Sequence, residues 1–260
     1  MIVTLTKEWL NDSYDNPILL CEKLQPYFKE SVTAQEIYQF LNMNGMYRPN
    51  KEDESRLKAF VEKKPWKIVQ DQEAKLKKDW KVPNIPIFIF PSDQTNRTIY
   101  KEFNGKSGIA FHDKLFLFLS EENTDSEIRA VFTHEFNHVY RLSKYKKQEG
   151  EYHLLDTMIL EGLAEHSVRE RLGEDYTAKW THYYTKSQLE RLWARYYKNH
   201  QDITKDHPHF QRLLYGFSPL PKMLGYSMGY ELVGNYLTKN QKTTSQVMEL
   251  PSENFIDEAL

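Results

Sequence analysis

His134-Glu135-Phe136-Asn137-His138 restricts this chain more than any other stretch. It lies within residues 125–142, where Ile128, Phe132, Phe136 and Val139 recur at helical spacing and predict one amphipathic helix with a buried stripe. Thr124-Asp125-Ser126-Glu127 supplies its start, an N-cap candidate with a glutamate in the first turn. Histidines four apart stand one above the other on a helical face, so both imidazoles reach a single metal ion. Glu135 is turned roughly 100° from His134 by the ~3.6-residue repeat. It therefore flanks the metal instead of ligating it, and can take a proton from a water held there. That is the zinc-hydrolase signature, with Glu135 as general base.

A catalytic zinc takes three protein ligands and keeps one position for water. Cys21 is the only cysteine in the chain, so neither an internal disulfide nor a thiolate cluster can form. The third donor must then be an imidazole or a carboxylate. Residues 154–172 offer a second helix, with Leu155, Met158, Ile159, Leu163 and Val168 at helical spacing. It carries Glu161-Gly162-Leu163-Ala164-Glu165, whose two glutamates share a face and whose small residues permit close approach to a neighbouring helix. A glutamate pair at this spacing also reads as a solvated face. Against that, Leu160, Leu163 and Ala164 make the surroundings apolar, and a carboxylate there needs a partner. The interval from His138 to Glu161 leaves room for a loop and an antiparallel return, which lets Glu161 reach the same ion. Glu165, one turn on, is placed to accept the second N–H of a ligating histidine and fix its tautomer.

Upstream, residues 85–90 form a short β-type run bounded by prolines, and 107–111 and 115–119 flank His112-Asp113-Lys114 as a hairpin would, with His112 in the turn. Residues 115–119 are apolar throughout and belong inside the sheet. Gly108 to Phe111 then form an edge strand near the site, whose unpaired backbone groups can bind an extended peptide. Before the sheet, residues 16–60 read as short helices, one opened by Pro17 and one by a capping pattern at Thr33, followed by a third over 51–63.

His-Glu-x-x-His followed by Glu-Gly-x-Ala on the next helix resembles the gluzincin clan of zinc metallopeptidases, which includes thermolysin-like and aminopeptidase-like enzymes. More narrowly, the chain is similar to a bacterial family of uncharacterised proteins described as predicted zinc-dependent proteases. The resemblance implies Glu161 as the third ligand and Glu165 as the acid behind the ligands. It also implies a small sheet, its edge strand lining the cleft, beside two metal-bearing helices, carried here onto residues 83–170. The expected fold is thus α+β and mostly helical, with a small mixed sheet and a thermolysin-like core. A helical N-terminal region (1–82) precedes a catalytic domain (83–260), itself divided into a sheet part (83–120) and a helical part (121–260). Clan aminopeptidases use a tyrosine after the glutamate helix to stabilise the oxyanion. Tyr226, just ahead of a helical run over 230–237, is the first choice, with Tyr230 in reserve; His207 and His209 stand for the histidine of thermolysin-type enzymes.

A net charge of −2 with lysine and arginine spread along the chain excludes an obvious nucleic-acid or membrane surface. A mean hydropathy of −0.72 marks a soluble chain. Residues 1–20 lack the apolar run of a secretory signal, so a cytoplasmic location is expected. Residues 186–198 predict a covering helix, and two short helices around Pro251 close the chain, with Asp257 and Glu258 as surface acid. The expected function is peptide-bond hydrolysis with one Zn²⁺ per chain and a peptide or protein as substrate. The competing expectation is a metal-containing peptide- or protein-binding regulatory module with little turnover. Nothing in the sequence indicates an oligomeric state.

Overall fold

The computed structural model describes residues 3–4, 6–29, 31–50, 54–145 and 147–256. The chain divides into two compact units, Met1–Val139 and Tyr140–Leu260. It is mostly helical with one small mixed sheet. Among the described residues no helix is long and apolar enough to cross a membrane.

Among the described residues the first unit begins with the α-helices α1 (Thr6–Ser13), α2 (Pro17–Glu22), α3 (Ala34–Met43), α4 (Glu54–Glu62) and α5 (Pro65–Leu76). Proline opens α2 and α5, where its missing N–H costs nothing. The reciprocal bonds of Thr33 and Glu36 cap α3. Residues 51–53 of the helix expected over 51–63 lie outside the described residues. The sheet follows: β1 (Ile87–Pro91), then α6 (Arg97–Phe103), β2 (Ser107–Ala110) and β3 (Leu115–Leu119), in the order β1-β3-β2. β3 is central, parallel to β1 and antiparallel to β2, with Leu117 opposite both Ile89 and Gly108. Its five residues are fully buried, so a strand apolar at every position has found the place that covers both its faces. β2, half-buried throughout, is the free edge of the hairpin, and His112 sits in the connecting bend.

Helix α7 (Asp125–Lys144) starts on a capping box in which Thr124 and Glu127 exchange bonds of 2.8 and 3.3 Å. Ile128, Phe132, Phe136 and Val139 are fully buried, as the helical period requires. In the first unit α5 braces this helix: Gln72 donates to Thr133 at 3.0 Å, and Trp80, just beyond α5, stacks on Phe136.

The second unit is built on α8 (Leu154–Leu172) and α11 (Leu224–Asn240). The His153 amide donates to Asp156 and so opens α8. From Leu154 to Val168 α8 buries residues on nearly every side, which makes it an interior helix and not an amphipathic surface one. Its neighbour α11 begins at Leu224, earlier than the run over 230–237 predicts, so Tyr226 lies inside the helix. The early glycines Gly225 and Gly229 serve packing. A Cβ on Gly229 would lie 2.5 Å from the carbonyl carbon of Met158, and one on Gly162 2.6 Å from that of Gly229. The remaining helices are α9 (Lys186–Leu192), which continues as a wider π-type turn over Trp193–Tyr197, and α10 (Phe210–Tyr215). Two 3₁₀ turns, Thr244–Gln246 and Ser252–Phe255, flank Pro251. Asp257 and Glu258 lie outside the described residues.

Candidate metal centre

Helix α7 carries His134 and His138 one turn apart, with ring centroids 4.6 Å from each other and planes at 84°. His138 is buried and His134 half-buried. One ligand atom from each of His134, His138 and Glu161 lies within 4.8 Å of the other two, and this is the one such group of three or more His, Cys, Asp or Glu among the described residues. Donors about 2.1 Å from one ion stand roughly 3.4 Å apart in a tetrahedron. The observed bound is therefore of the right size for a single cation. Two imidazoles and a carboxylate without thiolate is also a donor chemistry that zinc accepts in open, water-binding sites. The group and the ion fit.

Glu135 is buried on a different side of α7 and packs on the edge strand of the sheet. A Cβ at Gly108 would stand 2.7 Å from Glu135 Cδ and 2.9 Å from Oε1, closer than real Cβ contacts allow. Glycine at 108 is thus the seat for this carboxylate. Sequence reading placed Gly108 on the edge strand without this role, although a lone glycine in a strand pattern signals close approach by another group. Gly108→Ala should push the carboxylate from its seat while leaving the sheet register intact. A crystal structure of the variant with the Glu135 carboxylate displaced and the β2–β3 register unchanged is the expected result.

Glu165 is buried and accepts the Ala178 N–H at 2.8 Å, a bond that ties α8 to the turn after it. Tyr226 is half-buried on α11, with its ring edge-on to Trp180 at 5.3 Å and tilted against Tyr215 at 5.5 Å. Tyr230, one turn later, lies flat on His166 with centroids 4.0 Å apart, and its carbonyl accepts from His166 Nε2 at 2.9 Å. Burial raises the Tyr230 phenol above its usual range, with Arg169 pulling the other way. His207 and His209 sit in the turn ahead of α10, 5.2 Å apart, where His207 Nδ1 accepts the His209 N–H. Among the described residues they belong to no group of three metal-binding side chains within reach of one ion.

Comparison with known proteins places these residues in context. A family model described as predicted Zn-dependent protease, DUF2268, matches residues 65–257. "Uncharacterized protein YjaZ" of Bacillus subtilis (strain 168) is 39% identical over 264 residues, covering 100% of both chains. "Uncharacterized protein YjfC" of the same organism is 23% identical over 180 residues, 65% of this chain and 59% of that protein. No solved structure matches the chain. The matched segment begins at α5 and contains the sheet, α7 and α8.

Proposed function

This chain belongs to the DUF2268 family, described as predicted Zn-dependent protease, and from that premise we propose that it is a gluzincin-type metallopeptidase acting on peptides or proteins. The observation that carries this reading is the convergence of His134, His138 and Glu161 within 4.8 Å. These three residues would hold one Zn²⁺. Zinc bound there would supply Lewis acidity, lowering the pKa of a water toward ~7 and polarising a carbonyl.

The chain's own residues do the rest. Glu135, held on Gly108, takes a proton from the attacking water and returns it to the leaving amine. Its burial keeps it from exchanging freely with solvent, and its place on the turn between the two histidines fixes its distance from the ligands. The edge of β2 aligns the substrate backbone by adding it as a further strand. Glu165 orients a ligating imidazole, and its bond to Ala178 limits its own rotation. Tyr226 donates to the carbonyl oxygen as it becomes negative. Tyr230 is less suited to that task because its ring is stacked on His166.

Purified protein should hydrolyse casein or a mixed peptide library, lose this activity in o-phenanthroline and regain it when Zn²⁺ is restored. A zinc-loaded protein that binds peptides but does not cut them would instead establish the binding-module alternative.

A further inference from the structure

We infer that the second unit contains a binding site for a phosphorylated small molecule, separate in chemistry from the metal centre. A cavity of about 390 Å³ opens beside α8, α9 and α11. That volume is in the range of small-molecule sites and too large for a lone ion. Three cationic side chains line it, Arg169 from α8, Lys186 from α9 and Lys239 from α11, against the single carboxylate of Glu231. No cation of this set is supplied by its neighbour in sequence. Three separate helices bring them together, as an anion site needs and a solvated charge run does not.

The walls are rich in donors. Lys186 Nζ donates to Asn235 Oδ1 at 3.4 Å, which turns the Asn235 amide nitrogen the other way. That Nδ2 is buried and has no hydrogen-bond partner among the described residues. His166 stays uncharged at this wall: burial holds its pKa down to about 4, and its Nε2–H is given to the Tyr230 carbonyl. The positive field therefore comes from Arg169 and the two lysines. Arg169 lies 3.5 Å from Glu174, a half-exposed pairing that a phosphate can displace. Gly234 keeps the floor open, since a Cβ there would stand 3.0 Å from His166 Cε1 and Nε2. A guanidinium and two ammonium groups favour a phosphate over a monocarboxylate, because its three terminal oxygens can use several donors at once.

The test is calorimetric titration of the full chain, stripped of metal by chelation, with pyrophosphate as probe and citrate as the polycarboxylate comparison. One saturable pyrophosphate site per chain is expected, with citrate weaker. The Lys186→Glu/Lys239→Glu pair should weaken pyrophosphate by about tenfold or more. Should charge reversal lower the melting temperature, the Lys186→Gln/Lys239→Gln pair gives the same readout. The inference is overturned by an absence of saturable binding, by binding that survives either pair undiminished, or by citrate binding more tightly than pyrophosphate. Because the protein is metal-free throughout, the outcome is independent of the metallopeptidase reading.

Discussion

Glu135→Gln should leave one zinc per chain and reduce peptide hydrolysis by about 10²–10⁴-fold, the usual contribution of a positioned acid–base group. The substitution is nearly isosteric, so the side chain still fits on Gly108 and the two histidines keep their positions on α7. What is lost is the ability to accept a proton. The expected pattern is a fall in kcat with little change in KM, since the proposed role of Glu135 is toward the attacking water and not toward substrate affinity. Steady-state kinetics on a defined peptide, with zinc measured on the same samples, checks both halves. Full activity in the variant would mean that another group is the base.

Gly229→Ala should have the largest effect on stability. α8 and α11 cross where neither has a side chain: Gly229 faces the Met158 carbonyl and Gly162 faces the Gly229 carbonyl. The obstacle is backbone on both sides, so no rotamer change relieves it, and the helices must separate. Overpacking of this kind costs about 1–3 kcal/mol and sometimes more. Met158, Leu163, Met228 and Leu232, all buried, would lose contact as the pair opens. Thermal or urea unfolding should show the variant destabilised by about 3 kcal/mol. Ala164→Gly, a cavity-forming change nearby on α8, should cost less, about 1–2 kcal/mol. Equal stability of Gly229→Ala and the parent would show that the helices do not meet there.

Residues whose structure depends on local rules were legible in the chain. α7 follows from the Ile128–Phe132–Phe136–Val139 period and the Thr124–Glu127 box, and α8 from the recurrence of Leu155, Met158, Ile159, Leu163 and Val168. The hairpin of β2 and β3 follows from two β-type runs around a three-residue polar turn. Other features depend on what comes near from elsewhere in the sequence. Gly108 is explained only by Glu135 lying over it, and Gly229 only by Met158. Glycine in isolation signals a break, which is why α11 begins earlier than its apolar run suggests. The π-type turn after α9 and the cavity formed by Arg169, Lys186 and Lys239 likewise have no local signature. His166 reads in sequence as one more polar residue on a helix, yet its ring lies flat against Tyr230.

The proposed chemistry requires one Zn²⁺ on His134, His138 and Glu161. Crystals of the zinc-loaded protein, measured at and below the zinc absorption edge, test it directly. A single anomalous peak per chain about 2.0–2.2 Å from a nitrogen of each histidine and an oxygen of Glu161 is the predicted result. A peak elsewhere, or a peak at the histidines with Glu161 outside bonding distance, would contradict it.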